Sequence, residues 1–251
     1  LHYPLRRQRQ MCIRDRLNTI AKIRGEYVVA SKYDFWFLNA DLSPKFHAAM
    51  DPWFSANVLD LVGITALDKD AYVLMGSNKS LLRVRQNPEA DDVQGWPNFT
   101  AGRSHIEAVG GLGRARIDTE RAKFSYIHSS ATDGRYVFMA TVPDNKNKKQ
   151  FVISKALMKD WMLSGEFVPT AEMLKKDRSL GELYVTGMVY EDGKLYAVSK
   201  NWNVLVVIDV AQEAVVEAWG LPEELTDIRG LVKDGSTFEV IDANRVVKLT
   251  M

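Results

Sequence analysis

Cysteine is nearly absent from this sequence, which has 251 residues and one cysteine, Cys12. Residues 17–251 therefore contain no thiol, and this excludes disulfides, thiolate metal sites and cysteine nucleophiles from that part of the chain. The absence does not fix the compartment. Disulfides indicate an oxidising compartment, but their absence does not indicate a reducing one.

Charge of a single sign and long apolar runs are also lacking. The chain has 33 basic and 32 acidic residues and a net charge of +1, so no extended field would attract a nucleic acid or an anionic membrane. Apolar runs are short, as in VLVVI over 204–208, whereas a membrane-spanning helix needs about 20 apolar residues. We expect neither a nucleic-acid partner nor a membrane span within this sequence.

The first sixteen residues, LHYPLRRQRQMCIRDR, differ from the rest because they are rich in arginine and show no apolar alternation. A basic arm for an anionic partner is one interpretation. A signal peptide is another, but it lacks the necessary apolar stretch of about 7 to 15 residues. The string RQRQMCIRDR resembles translated sequencing-adapter sequence. We predict that residues 1–16 are a disordered, non-native artefact of a metagenomic fragment, with any natural leader or membrane anchor outside this sequence.

A short phrase recurs along the chain: a small residue, a β-rich run, an Asp, Asn or Gly turn, and a second run with an aromatic residue. Repetition at spacings of tens of residues is typical of stacked supersecondary units, and paired strands with tight turns indicate the blades of a β-propeller. Four copies are clear, and we assign a fifth, weaker copy to GEYVVASKYDFWFLN from Gly25. The clear copies are LVGITALDKDAYVLMG from Leu61, IHSSATDGRYVFMA from Ile127, VTGMVYEDGKLYAVSK from Val185 and IRGLVKDGSTFEVID from Ile228.

The segment from Leu183 to Leu221 shows a whole blade. Its strands are LYVTGMVY, GKLYAVSK, VLVVIDV and AVVEAWGL, and Asp192-Gly193 between the first two is a typical two-residue hairpin turn. The sequence thus predicts an all-β fold, a β-propeller of four-stranded antiparallel blades over residues 17–251. About five blades are visible, which leaves open a six-bladed or larger ring lacking its N-terminal part. The last copy ends about three strands into its blade, and we expect the N-terminal segment to supply the fourth.

Two positions in the phrase have architectural roles. An aromatic residue in the second strand can fill the gap between adjacent blades, and a small residue in the first strand permits close backbone approach near the central axis. The aromatic positions are Tyr72, Tyr136, Tyr196 and Phe238. The small residues are Gly63, Ser129, Gly187 and Gly230.

Uneven spacing between the copies predicts insertions. Residues 86–122, rich in Gly, Pro, Asp and Asn, are expected to form a long loop or an irregular strand pair. Residues 169–182 include TAEMLKKDR, which could form one or two helical turns. The segment 43–54, SPKFHAAMDPWF, is a second helical candidate.

No strong catalytic motif is present. The nucleophile motif G-x-S-x-G is absent, and the glycines near 110–113 lack the spacing of a dinucleotide loop. The four histidines, at 2, 47, 105 and 128, show no paired spacing that would place two metal ligands on one face. We therefore predict no cofactor and no metal site.

The unit VTGMVYEDGKLYAVSKNWNVLVVID resembles the blade phrase of bacterial six-bladed propellers of the SdiA-regulated, NHL and gluconolactonase-like kind. In the calcium-dependent lactonases, the resemblance implies a carboxylate or asparagine ligand just before the small residue of each first strand. Here Val62, His128, Thr186 and Arg229 hold those positions. A divalent cation needs several oxygen ligands with net negative charge, so this set argues against a lactonase metal site.

A propeller places its binding site at the mouth formed by loops that enter first strands and loops that join second to third strands. Mixed charge there suits a small polar ligand, a peptide or a protein partner. The alternative is that these are ordinary solvated turn residues. The mouth candidates are Asn78, Lys79, His128, Asn201, Trp202, Asp227, Arg229, Asp242 and Asn244, with Asp60 and Lys200 beside them.

The sequence favours a non-catalytic binding module of a bacterial protein that is exported to the periplasm or anchored in a membrane. A hydrolase of the lactonase or esterase type, working in the channel, is the first alternative. It would need three or more Asp, Glu, Asn or His side chains converging on the axis. A structural domain of an envelope protein is the second alternative.

Overall fold

The computed structural model describes residues 16–23, 25–31, 34–49, 60–66, 71–86, 106–108, 114–117, 119–145, 148–172 and 179–250. These residues form five antiparallel sheets and one 3₁₀ helix, Leu180–Glu182. Each sheet is one propeller blade, so the predicted all-β propeller is confirmed. In this part of the chain no helix has the length and apolar character needed to cross a membrane.

The first three blades comprise thirteen strands. Blade 1 contains β1 (Thr19–Ile23), β2 (Glu26–Ala30), β3 (Asp34–Leu38) and β4 (Pro44–Ala49). Blade 2 contains β5 (Leu61–Ala66), β6 (Ala71–Gly76), β7 (Ser80–Gln86), β8 (Ile106–Ala108) and β9 (Arg114–Arg116). Blade 3 contains β10 (Ile127–Thr132), β11 (Tyr136–Thr141), β12 (Ile153–Leu157) and β13 (Leu163–Phe167).

The last two blades comprise seven strands. Blade 4 contains β14 (Val185–Glu191), β15 (Lys194–Ser199), β16 (Val204–Asp209) and β17 (Ala214–Gly220). Blade 5 contains β18 (Ile228–Asp234), β19 (Thr237–Asp242) and β20 (Arg245–Thr250).

The ring closes with five blades. The first strand of each blade is innermost, and β1 packs against both β5 and β18. Contact between blades 1 and 5 is close: a Cβ added to Gly230 would lie 2.7 Å from atoms of Ile20. No gap remains there for another blade, so the six-bladed or larger ring is not what the chain forms.

Blade 5 has three strands in the described part of the chain. The sequence predicts that the N-terminal segment supplies a fourth, and this stays a prediction because a strand before β1 would fall outside the described residues. The first described strand, β1, is the innermost strand of blade 1 and pairs with β2 across the Gly25 turn, a local pairing with little loop to close. Residues 1–15 of the predicted artefact lie outside the described residues.

Blade 4 forms as its sequence predicts. The turn residues Asp192 and Gly193 both have positive φ, 48° and 81°, as a hairpin turn matched to strand twist requires. The central residues of β16, Leu205 to Ile208, are fully buried, because neighbouring blades cover both faces of this strand.

The fifth copy of the phrase is misplaced by one strand. The stretch from Gly25 contains β2 and β3, whereas every other copy contains the first and second strands of its blade. The true counterpart is TIAKIRGEYVVA, Thr19–Ala30, in which β1 pairs regularly with β2. The error arose because β1 carries Ala21 where the other first strands carry Gly or Ser, and so matches the phrase less clearly.

The core consists of apolar clusters between neighbouring blades. One joins blades 3 and 4, and Tyr136 packs on it; another joins blades 4 and 5 and includes Phe238, with Tyr196 packed against it. The rings of Tyr196 and Phe238, from adjacent blades, lie 5.6 Å apart. These three aromatic residues fill the gaps between blades as predicted, whereas the side chain of Tyr72 lies outside the described atoms.

Two other predictions meet different outcomes. Residues 44–49 of the helical candidate 43–54 form the outer strand β4, so that prediction is wrong. Pairing with β3 overrides helical propensity in this short segment.

In the insertion 86–122, β8 and β9 both pair with β7 and share the place of a fourth strand. The helical candidate TAEMLKKDR falls mostly on 173–178, outside the described residues.

Candidate functional site at the channel mouth

The four residues that precede the small positions, Val62, His128, Thr186 and Arg229, are called the mouth set here. The first three are each the extra residue of a β-bulge, because the pairing of first and second strands skips them. In blade 5 the shift falls just after Arg229 instead. A bulge re-aims the side chain that it carries, and this decides where the mouth set points.

Each member of the mouth set is directed to the next blade. Thr186 donates to the carbonyl of Ile228 at 2.6 Å, and Nη1 of Arg229 donates to Oδ1 of Asn18 at 3.1 Å. The ring of His128 lies 4.6 Å from that of Tyr184, and Val62 is buried in the cluster between blades 2 and 3. The set therefore joins blades and does not form a common ligand ring for a cation.

Four charged residues meet at the mouth: Arg16, Lys200, Asp227 and Arg229, called the Asp227 cluster here. The carboxylate of Asp227 accepts hydrogen bonds from Nε of Arg16 at 2.8 Å, Nζ of Lys200 at 2.9 Å and Nε of Arg229 at 3.3 Å. Three cations surround one carboxylate, which leaves an excess of two positive charges.

Electrostatics within the cluster follow from this arrangement. Burial raises the pKa of Asp227, but hydrogen bonds from Arg16 and Lys200 and the charge of Arg229 outweigh it and hold that pKa well below its usual range. Burial lowers the pKa of Arg229, and the charge of Asp227 opposes this. Asp227 therefore stays ionised at any physiological pH.

His128 is uncharged at neutral pH. Burial and then the positive charge of Arg229 lower its pKa from 6.5 to about 4. Its Nδ1 is buried and has no hydrogen-bond partner. Beside it, burial raises the pKa of the Tyr184 hydroxyl, against the effect of Arg229. The mouth thus holds a neutral imidazole and a neutral phenol next to the cations.

Asp242 supports the cluster from below. Its buried carboxylate accepts the backbone N–H groups of Thr226 and Asp227 at 3.0 and 2.9 Å, and Arg245 at 2.6 Å. This fixes the loop that presents Asp227. Asn244 links blade 5 to blade 1, because its Oδ1 accepts a hydrogen bond from the backbone N–H of Leu17.

The other predicted mouth residues stabilise turns. Asn201 ties three segments together: its side chain accepts from the backbone of Tyr184 and from Ser199, and donates to the carbonyl of Glu182. Trp202 is partly buried and packs on the cluster between blades 3 and 4. Asn78 accepts from the backbone of Ser80.

Lys79 is almost fully buried, at 2% exposure. Its ammonium group donates to the carbonyl oxygens of Ala122, Lys123 and Ser125 at 2.7, 3.2 and 3.0 Å. An ammonium group has three N–H donors, and these contacts account for all of them. The structure thus gives Lys79 a role in holding a loop.

Sequence reasoning missed Arg16, Asn18 and Tyr184. Arg16 was set aside with the predicted artefact. The other two occupy one repeated position, the residue just before the first strand, which would have identified them. That position holds Asn18, Asp60, Tyr126, Tyr184 and Asp227 in the five blades.

A cavity of about 280 Å³ lies in the channel, lined by the first strands of all five blades. None of the predicted mouth residues lines it; it begins next to them, at Thr19, Ser129 and Gly230, and extends to Lys22 and Lys233. Its polar lining comes from hydroxyl groups and these two lysines, without Asp, Glu, Asn or His among the lining residues. Nor do the described residues contain a group of three or more His, Cys, Asp or Glu that could hold a metal ion.

The sequence matches no protein-family profile and no curated protein sequence. Its fold is similar to that of Myxococcus xanthus glutaminyl cyclase, with a TM-score of 0.64 at 10% identity over 97% of this chain and 94% of the cyclase. BamB from Moraxella catarrhalis matches with a TM-score of 0.41 at 8% identity over 90% of this chain and 67% of BamB. At such identities the likeness to the cyclase shows a shared β-propeller fold and carries no activity.

Proposed function

We propose that this chain is a binding module whose channel mouth recognises a small anionic group, such as the carboxylate of an organic acid or of a peptide terminus. The observation that carries the proposal is that two cations, Lys200 and Arg229, share the single carboxylate of Asp227. This leaves an excess of positive charge even without Arg16, which belongs to the predicted artefact. A second anion at this place would balance the cations without displacing Asp227.

Preorganisation supports this function. Arg229 is held by Asp227 on one side and Asn18 on the other, and its side chain is only 12% exposed. Two of the five N–H groups of its guanidinium are used in those contacts, so further donors keep a fixed direction. A fixed guanidinium loses little entropy on binding a carboxylate and binds it with charge-assisted hydrogen bonds.

The adjoining cavity fits the same function. Its volume, about 280 Å³, lies at the small end of ligand pockets. Hydroxyl groups of the lining residues would bind the rest of a small polar ligand, since Lys22 and Lys233 are ion-paired with Asp234 and Glu191. None of the Asp, Glu, Asn or His side chains that a hydrolase would need is among the residues that line this cavity, which supports binding over hydrolysis.

The test is thermal melting of the full chain with citrate, succinate or phosphate at constant ionic strength. A ligand that binds only the folded state raises Tm, so we expect a rise with at least one of these anions and its loss in Arg229→Gln. Lys200→Gln, at a more exposed site, should weaken the effect without harming the fold.

Lys45→Gln is the matched control, because Lys45 forms an exposed ion pair with Glu26 on the outer strands of blade 1. Equal Tm shifts in Lys45→Gln and Arg229→Gln would contradict the proposal. So would the absence of any shift at millimolar anion.

A second candidate is an enzyme that uses the mouth, for which the neutral imidazole of His128 beside Tyr184 is the favourable observation. An unprotonated histidine can accept a proton as a general base. Given the similarity of fold to a glutaminyl cyclase, the direct test is release of ammonia from a peptide with N-terminal glutamine. Activity that is lost in His128→Gln would favour the enzyme. If the wild type releases no ammonia, this candidate is ruled out.

A location in the bacterial envelope is part of the proposal, and the lack of cysteine in residues 17–251 agrees with it without requiring it. Expression of the natural gene with an epitope tag, followed by cell fractionation, tests this. Recovery only in the cytosolic fraction would overturn the location and leave the binding function untouched.

A further inference from the structure

A second surface of the mouth side stands apart from the Asp227 cluster. It is the loop of residues 120–126 that enters β10, called the aromatic–basic loop here. Its buried side chains are Ala122 and Ser125. Phe124 and Tyr126 are 69% and 50% exposed, which sets them apart from the aromatic residues that fill gaps between blades.

The backbone donors of this loop are fixed from blade 3. The carboxylate of Glu166, on β13, accepts the N–H groups of Glu120, Arg121 and Ala122 at 3.0, 2.5 and 3.3 Å, and also the hydroxyl of Ser154 at 2.7 Å. One side chain therefore holds three consecutive peptide groups.

The backbone acceptors are fixed from blade 2, where the buried Lys79 binds three carbonyl oxygens of the loop. Burial of an ammonium group is costly unless it is fully hydrogen-bonded. Here that charge is used to hold the loop in one conformation. The loop thus presents its outward side chains on a rigid frame, which reduces the entropy lost on binding a partner.

The charge of this surface is positive. Its exposed charges are two cations, Arg121 and Lys123, and one carboxylate, Glu120. The Lys79 ammonium and the Glu166 carboxylate that hold the loop offset each other.

We propose that the aromatic–basic loop is a docking surface for an acidic peptide segment that carries an apolar or aromatic side chain. Exposed Tyr, Phe and Arg on a rigid frame are the composition of binding hot spots, and the excess of cations selects an acidic partner. This surface goes beyond the proposed anion site, since it uses none of the residues of the Asp227 cluster.

The test compares two fluorescent probes of equal length, a random copolymer of glutamate and tyrosine and a polymer of glutamate alone. We expect the protein to bind the copolymer more tightly. The double variant Phe124→Ser with Tyr126→Ser should lose about tenfold in affinity for the copolymer, as is common for aromatic anchors, and little for polyglutamate. Its Tm should stay unchanged because both side chains are exposed; Phe124→Ser alone serves if the double variant unfolds.

Met162→Ser is the control. Met162 is 65% exposed, but it lies in the β12–β13 turn at the opposite edge of the blades. Equal affinity of the double variant and the wild type for the copolymer would overturn the proposal. Equally tight binding of a single-stranded oligonucleotide would overturn it as well, since the surface would then recognise any polyanion. Self-association that disappears in the double variant would replace the peptide with a second copy of the chain.

Discussion

At the scale of single residues, Lys79 and His128 show that the mouth holds two buried basic groups in different states. Lys79 is charged and has three acceptors, whereas His128 is neutral and its Nδ1 has none. Burial favours the neutral form of a base unless hydrogen bonds compensate, and the number of acceptors accounts for the difference.

Lys79→Met should destabilise the protein by roughly 3 kcal/mol, because it leaves three carbonyl oxygens without their buried donor. Urea unfolding measures the effect. Lys45→Met, at an exposed ion pair, should change the free energy of unfolding by less than about 0.5 kcal/mol. A loss under about 1 kcal/mol in Lys79→Met would show that water replaces the ammonium group.

His128 should make the protein less stable in acid. Its pKa is about 4 in the folded state and 6.5 without the fold, so between these pH values the unfolded chain binds a proton that the folded chain does not. Stability from this group is complete above pH 6.5 and is lost as the pH falls toward 4, by up to about 2 kcal/mol at pH 5.

The measurement is the free energy of unfolding between pH 7 and 5, for the wild type and His128→Gln. The variant should lack the part of the slope that His128 contributes, while the charges of Arg229, Lys200 and Asp60 around this position remain. Parallel slopes for the two proteins would contradict the lowered pKa.

At the scale of elements, the close approach of first strands limits side-chain size near the axis. A Cβ on Gly187 would lie 2.3 Å from the backbone carbon of Gly230 on the next blade. Backbone cannot move aside as a flexible side chain can, so β14 and β18 would have to separate.

Gly187→Ala should therefore destabilise the protein by about 3 kcal/mol, the upper range for overpacking. Gly165→Ala on β13 is the matched control, because nothing lies within 4 Å of its added Cβ. It should be neutral or stabilising by less than about 1 kcal/mol. Denaturant unfolding compares the two, and equal stabilities would mean that the strands separate without cost.

At the scale of the whole molecule, the join between blades 1 and 5 closes the ring. Leu17, Ile20, Val232 and Ile241 share one apolar cluster across it. Polar groups also face each other across the join: burial and then the neighbouring carboxylate of Glu239 raise the pKa of Tyr27. The buried carboxylate of Glu239 also pairs with Lys248 at 2.8 Å.

Tyr27→Phe should cost about 1 to 3 kcal/mol, because the buried carboxylate of Glu239 loses the polar hydroxyl that faces it. Thermal and urea unfolding should also become less cooperative if blade 1 separates first. Tyr190→Phe is the control, since the ring of Tyr190 stacks on Phe138 at 5.5 Å and no described contact uses its hydroxyl. Equal stability of both variants would show that the apolar cluster alone closes the ring.

The sequence by itself determined the strands, the tight turns and the all-β blade pattern, because alternation of apolar residues and Asp-Gly turns are local signals. The repeat also predicts which positions lie at one edge of each blade, although Asn18 and Tyr184 at that edge were missed. Blade 1 was misaligned by one strand because β1 has a regular register and carries Ala21 where the other first strands carry Gly or Ser.

Only the tertiary structure decided the number of blades and the direction of the mouth side chains. Closure at five blades depends on how β1 meets β18, over 200 residues away in the chain. Val62, His128 and Thr186 are directed to neighbouring blades by bulges, and Arg229 by its hydrogen bond to Asn18 of blade 1. The charge excess around Asp227 and the clamped aromatic–basic loop arise from contacts between blades, which no single repeat encodes.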